Sequence, residues 1–258
     1  MLELYHDWDS LMSFKVRACL AEKQLDWTPH LIELTEFKHL EAEYLRLNPN
    51  GVVPTLVHDG HVVIESSVIN EYLDEVFQEP SLRPTDPVAR AHMRAWVKYG
   101  DDVLHHGVRP ATFEMMIKQR LKRFSKQELE ALIAHHPQPA RAQAFRKAAA
   151  EDIDFDQVNN TVVIANTAFA RMEASLKEGD WLVADQFSLA DVMAMSFIDR
   201  ITHLGLAFLI DRRPSVRDWA DRLMNRSSYK SSVPPPGTRL PTPDADAIER
   251  LKEIFNKP

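Results

Sequence analysis

Three short stretches near the start of the chain carry residue types that can hold a ligand or a reactive group. In "SLMS", Ser10 and Ser13 stand three residues apart where an apolar strand gives way to a helix. A serine there caps free backbone N–H groups, and a hydroxyl beside those groups can also hold a reactive group in place. In "NPNGVVPTL", Val53-Pro54 lies just ahead of a strand. Proline cannot donate to a sheet ladder, so it belongs at a strand start or in a special turn. Either a trans proline opens the strand, or a cis proline turns the Val53 backbone outward to a peptide-like ligand. In "IESS", Glu65 closes a strand and Ser66 opens a helix, which makes Ser66 a natural N-cap. A helix N-terminus with a hydroxyl also attracts a carboxylate, and the adjacent Glu supplies the counter-charge for an ammonium. Beside the plain capping role, the pair therefore suits an α-amino-acid head group.

Other reactive residue types point to structure. The adjacent pairs His105-His106 and His135-His136 project about 100° apart on a helix, so both are read as surface residues and no metal site is expected. The lone Cys19 excludes internal disulfides, fits a reducing cytosol and is expected buried in the first helix. Tyr5 in the first strand is accounted for by the strand's core pattern. A net charge of -7 argues against a nucleic-acid partner. The basic run Lys118 to Lys126 lacks interleaved aromatics and reads as a solvated helix end. No apolar run is long enough for a membrane span, and the start "MLELYHDW" has no signal-peptide pattern. A soluble cytoplasmic protein is expected.

The elements that must position the three stretches are legible in the periodicity. "LELYH" and "HLIEL" alternate as strands around a helix in which Val16, Cys19, Leu20 and Lys23 fall at helical spacing, a βαβ pattern. "TLVHD" and "HVVIE" meet at Asp59-Gly60, a hairpin signal. The helix "SSVINEYLDEVF" follows, with Val68, Ile69, Tyr72, Leu73 and Val76 on one face and Asn70, Glu71, Asp74 and Glu75 on the other. The proline-rich "QEPSLRPTDP" then reads as a linker. Beyond it helical periods dominate, in "VARAHMRAWVKYGDDVL", "SKQELEALIAHH", "FDQVNNTVVIANTAFARMEASLK", "SLADVMAMSFIDRITHLGL", "SVRDWADRLMNR" and "ADAIERLKEIF". The fold class is α/β plus all-α. A βαβ–ββα unit with a mixed four-stranded sheet, residues 1-80, precedes an all-helical domain, residues 86-258, with 81-85 as linker.

"SxxSxKVRxxLAEK", "NPNGVVPTL", "ESSVINEYL" and "SLADVMAMSF", in this order and spacing, make the chain similar to glutathione transferases over nearly its whole length. The resemblance implies a thioredoxin-like N-terminal domain, a helical domain carrying the second-substrate side, and a homodimer. It implies glutathione as co-substrate, with Glu65 and Ser66 on the γ-glutamyl ammonium and carboxylate. Val53, before a cis Pro54, would pair its backbone with the cysteinyl unit. His39, with Lys38, would stand near the glycine carboxylate, while Val52 offers no polar side chain where many members have Lys or Gln. Ser188 and Asp191 would cap a central helix, stabilising it by about 1 kcal/mol.

The resemblance also supplies the chemistry. A thiol of pKa near 8.5 is only about 3% thiolate at pH 7. Lowering that pKa by about two units requires about 3 kcal/mol. A serine hydroxyl donating to the sulfur, helped by the helix N-terminus, can supply it. Zeta and tau kinds align the activating serine with Ser10, and the bacterial β-aryl-etherase kind aligns it better with Ser13. "HDGHVVIESSVINEYLDEVF", "SLRPTDPVARAHMRAWVK" and a long insertion from about Phe124 to Asp156 especially resemble bacterial lignin β-etherase-like members. The expected reaction is attack of a serine-activated glutathione thiolate on a hydrophobic or aromatic electrophile, with β-aryl ether cleavage as its specialised form. Tyr99, Phe113, Met115 and Met116 are candidate pocket residues, with core packing as their plainer role. The non-enzymatic alternative is a glutathione-binding scaffold.

Overall fold

The computed structural model describes residues 1–149, 153–183 and 185–256. Four strands form one mixed sheet: β1 (Leu2–His6), β2 (Thr28–Leu31), β3 (Thr55–His58) and β4 (His61–Ile64), in the order β2-β1-β3-β4. β1 pairs parallel with β2 and antiparallel with β3, which pairs antiparallel with β4. This is the arrangement expected from the sequence. β1 alternates buried Leu2, Leu4 and His6 with half-buried Glu3 and Tyr5, as a pleated strand with one core face must. β2 begins two residues earlier than "HLIEL" suggests, and Leu34–Glu36 forms a 3-10 turn. The Asp7 carboxylate accepts from Leu34 N–H at 3.0 Å, which draws this segment away from the ladder. Asp59 and Gly60 both take positive φ, 49° and 83°, the geometry a two-residue hairpin demands.

Helix α1 (Leu11–Glu22) crosses from β1 towards β2, and α2 (Ala42–Leu47) precedes β3. The stretch Ser13 to Leu20 of α1 is buried throughout, Lys15 and Arg17 included. That is tolerable because the charges are partnered. Lys15 Nζ meets Asp101 at 2.7 Å, and Arg17 donates to the carbonyls of Asp7, Trp8 and Ser232. Cys19 is buried here as expected, and burial pushes its thiol above the usual range.

Helix α3 (Ser66–Val76) is rotated relative to its apolar pattern. Ile69 and Leu73 are buried, but so are Asn70 and Asp74, while Val68 and Val76 are 56% and 44% exposed. Asp74 explains the rotation: its carboxylate takes Lys23 Nζ at 2.6 Å, Leu82 N–H at 2.8 Å and Arg83 Nε at 2.7 Å. Three donors aimed at one carboxylate outweigh the burial of two valines.

From Pro87 onward all regular elements among the described residues are helical. α4 (Pro87–Tyr99), α5 (His105–Thr112) and α6 (Lys118–Leu121) form one rod, joined through π-helical turns at Gly100–Leu104 and Phe113–Ile117. Then follow α7 (Lys126–Ile133), α8 (Pro139–Ala148), α9 (Phe155–Ser175), α10 (Leu189–His203), α11 (Phe208–Asp211), α12 (Pro214–Asn225), α13 (Ser227–Ser232) and α14 (Ala245–Asn256). α10 is the buried axis, and it approaches the rod so closely that a Cβ at Gly100 would lie 2.3 Å from Met193 Sδ. Ser188 and Asp191 form the capping box the motif promised. Asp191 also accepts from Leu182 N–H at 3.1 Å and Trp219 Nε1 at 3.0 Å, so the cap ties α10 to α12. A second, small core joins Phe37 to Leu121, Leu129, Ile133 and Ala142. It clamps α7 and α8 onto the 3-10 turns before α2.

Candidate functional site

A cavity of about 590 Å³ opens between the N-terminal ends of α1 and α3 on one wall and α5, α6 and α8 on the other. The two serines separate cleanly. Ser10 lines the cavity as N-cap of α1, its Oγ accepting from Ser13 N–H at 3.2 Å. Its hydroxyl proton has no acceptor among the described residues and can donate into the cavity. Ser13 is fully buried, outside the lining, and its Oγ accepts from Asp7 N–H at 3.4 Å. The loop ahead of Ser10 is fixed by Asp9, which binds Arg200 and the Leu240 N–H.

Val53-Pro54 is a cis peptide bond, and both residues line the cavity. Tyr44 Oη and Asn48 Nδ2 hold the Val52 carbonyl at 2.6 and 2.9 Å and also reach Thr55 Oγ1, which locks the loop into β3. The N–H and C=O of Val53 make no hydrogen bond among the described residues.

Glu65 and Ser66 each lie one position further into the helix than expected. Glu65, at φ 68°, occupies the N-cap of α3 without a side-chain cap bond, and Ser66 is the first helical residue. Ser66 Oγ donates to Met12 Sδ at 3.3 Å. The helix starts there because the Glu65 carbonyl already accepts from Ile69 N–H at 2.8 Å. A non-glycine residue in the left-handed region is strained, and such strain is characteristic of functional positions. The Glu65 carboxylate is exposed into the cavity and has no ion-pair partner among the described residues.

His39 lines the cavity, buried between Phe37 and His136 with ring centroids 6.0 and 5.9 Å away. Burial, reinforced by His136 and Arg141, lowers its pKa to about 3, so the ring is neutral. Lys38 is exposed, bonded to Glu33 at 3.3 Å and outside the lining.

Several expectations need correction. His136 is buried beside His39, and His105 is half-buried, so only one member of each histidine pair is exposed, and both His105 and His106 line the cavity. Among the described residues no metal-holding cluster forms. The basic run is more than a solvated helix end: Lys118 is buried against Glu114 at 3.1 Å, and Arg120 lines the cavity. Of the four pocket candidates only Phe113 lines the cavity. Met115 and Met116 are buried in the core, and Tyr99 packs under the Arg171 guanidinium. Tyr5 stacks on His30 at 4.4 Å, outside the lining.

Sequence reasoning missed Arg109, Arg141 and Phe145, which line the helical wall. The signal was present in "PARAQAFRK", where Pro139 opens a helix that sets Arg141 and Phe145 one turn apart. Arg141 Nε donates to Gln138 Oε1 at 2.8 Å, and burial with repulsion from Arg109 holds its pKa down to about 10. Neither guanidinium has a carboxylate partner among the described residues. Phe113, Ile117, Leu121 and Phe145 give the same wall an apolar end.

Residues 9–76 match the family description "Glutathione S-transferase, N-terminal domain", and residues 137–227 match its C-terminal counterpart. The chain belongs to the glutathione transferase superfamily. Protein LigF of Sphingobium sp. strain SYK-6 is 32% identical over 236 residues, covering 89% of this chain and 91% of the relative. The crystal structure of β-etherase LigF superposes with a TM-score of 0.82 at 31% identity, covering 90% and 98% of the two chains. Maleylacetoacetate isomerase of Pseudomonas aeruginosa is 26% identical, covering 90% and 96%. A glutathione transferase homologue from Sulfitobacter, solved with bound glutathione, shares the fold at a TM-score of 0.65 and 21% identity, covering 90% and 96%. Glutathione is the co-substrate of this transferase family. All seven site residues expected from the sequence lie within the N-terminal match.

Proposed function

We propose that the chain is a serine-type glutathione transferase in which Ser10 activates the thiol. The observation that carries this reading is the uncommitted Ser10 hydroxyl at the α1 N-terminus, in one cavity with the unpaired Glu65. Glu65 takes the γ-glutamyl ammonium. Ser66 and the free N–H groups of α3 take the α-carboxylate, and the unpaired Val53 backbone takes the cysteinyl unit. Ser10 donates to the sulfur and, with the α1 dipole, shifts the thiol towards thiolate. The sulfur then forms a bond to an electrophilic carbon as the leaving group departs with its electron pair. The apolar end at Phe113, Ile117, Leu121 and Phe145 suits a hydrophobic or aromatic electrophile.

The β-etherase name of the LigF structure favours one specialised form, cleavage of a β-aryl ether. There the C–S bond forms as the C–O bond breaks, and the aryloxide leaves to be protonated. The two-domain division at residues 81–85, a homodimer and a cytoplasmic location belong to the same proposal. Among the described residues no helix is long and apolar enough to cross a membrane.

Ser10→Ala tests the mechanism. The thiol pKa, read from thiolate ultraviolet absorbance, is expected to rise by about 1–2 units, with turnover at neutral pH falling tenfold or more and glutathione affinity changing little. Undiminished turnover moves the role to Ser13. Assaying a β-aryl ether beside an aryl halide separates the two reactions, and tight glutathione binding without turnover of either favours the scaffold.

A further inference from the structure

The charges lining the cavity leave a specific remainder. Asp9 and Asp101 are held by Arg200 and Lys15, Asp102 by Lys98, Glu33 and Glu36 by Lys38 and Arg123, and Asp7 by backbone N–H groups. Glu65 alone among the lining carboxylates has no partner among the described residues, and Arg109, Arg120 and Arg141 line the same cavity without a carboxylate partner, Arg120 donating to the Arg239 carbonyl at 3.3 Å. Glutathione brings one ammonium and two carboxylates. Glu65 answers the first, and the α3 N-terminus with Ser66 answers one carboxylate. The glycine carboxylate still needs a cation. His39 is buried with its ring packed between Phe37 and His136, Lys38 lies outside the lining and pairs with Glu33, and Val52 is apolar.

Arg141 stands where the cation is needed. Its charge acts on both His39 and Glu65, the two ends of the expected site. Gln138 binds Arg141 Nε and donates its own Nε2 to the Asn50 carbonyl at 3.0 Å, stitching α8 to the loop that carries Val53. One turn further, Phe145 packs on Phe37 at 5.0 Å, beside His39. Only Nε of the guanidinium is engaged, so both terminal nitrogens are available as a fork for a carboxylate.

We propose that Arg141 binds the glycine carboxylate of glutathione, so that α8 completes the glutathione site from the opposite wall. The inference rests on the glutathione reading above. Calorimetry with glutathione and with its glycine amide, which lacks the charge at that end, tests it. The intact protein should bind the acid about tenfold or more tightly than the amide. Arg141→Met should weaken acid binding until the two ligands are equal while leaving amide affinity within about twofold, which also reports correct folding; Arg141→Lys should restore part of the gap. Arg109→Met should keep the gap. A gap retained in Arg141→Met, or one that closes in Arg109→Met instead, overturns the assignment. Equal binding of acid and amide by the intact protein overturns this inference alone. Absence of binding for both overturns the glutathione reading and this inference with it.

Discussion

The two walls of the cavity are built on different principles. The N-terminal wall sets its candidate ligand groups at helix starts and a turn: the free amides of α1 and α3, the Val53 peptide, and the side chains of Ser10 and Glu65. The helical wall presents long side chains, Arg109, Phe113, Arg141 and Phe145, drawn from α5, α8 and the turn between α5 and α6. A backbone surface changes little under mutation and suits an invariant peptide. A side-chain surface can be repacked, which suits the apolar end of this wall, at Phe113 and Phe145, to variable electrophiles. The Phe37 core joins the two.

The severest way to break the comparison is to cut that joint. Phe37→Ala removes a ring packed against Phe124 and Phe145 at 5.8 and 5.0 Å, and is expected to cost about 3–5 kcal/mol by loss of burial and a cavity. Hydrogen exchange should show α7 and α8 opening first while the sheet stays protected. Uniform loss of protection would mean that the walls do not behave as separate units.

Glu65→Gly sharpens the contrast between function and fold on the first wall. Losing the carboxylate should weaken glutathione about a hundredfold, roughly 2.7 kcal/mol. At φ 68° a glycine removes strain, so the denaturation midpoint should hold or rise, by up to about 1 kcal/mol. Parallel losses of binding and stability would argue against the head-group role.

The same asymmetry explains what the sequence could tell. On the first wall the candidate residues sit inside contiguous motifs bound to a helix start or a turn, so the sequence exposes Ser10 with Ser13, Val53-Pro54 and Glu65-Ser66 as candidates. On the second wall the residues are separated by a whole helical hairpin, and their meeting depends on packing around Phe37. The sequence pattern therefore leaves Met115 and Met116 open between pocket and core, where the structure places them in the core, and passes over Arg141. The rotation of α3 and the burial of His136 were hidden for a related reason. Both depend on partners remote in sequence, Lys23 for Asp74 and His39 for His136.

His39 stands at the seam, and its pH response is the next test. Its ordinary pKa of 6.5 falls to about 3 in the folded chain. The unfolded chain therefore gains a proton below pH 6.5 that the native state refuses. His39 thus favours the fold above pH 6.5, and that contribution is lost as pH falls towards 3. Denaturant titrations of wild type and His39→Asn should differ in slope by about 1.4 kcal/mol per pH unit between about pH 6 and 4, the variant being less acid-sensitive. Equal slopes would mean that the ring is open to protons in the native state.

The smallest effect separates the two serines. Ser13 lies at 0% exposure, and its one bond to Asp7 N–H is long at 3.4 Å. Replacing it by alanine leaves that amide without its acceptor, at a cost of about 1 kcal/mol. The same substitution leaves the Ser13 N–H donating to Ser10 Oγ, because that contact uses backbone. The Ser10 hydroxyl therefore keeps its orientation, and the thiol pKa measured on Ser13→Ala should match wild type. A shift as large as that of Ser10→Ala would mean that the turn acts as a unit, with the buried hydroxyl tuning the exposed one. An unchanged pKa with a slightly lower denaturation midpoint confines the chemistry to the serine that faces the cavity.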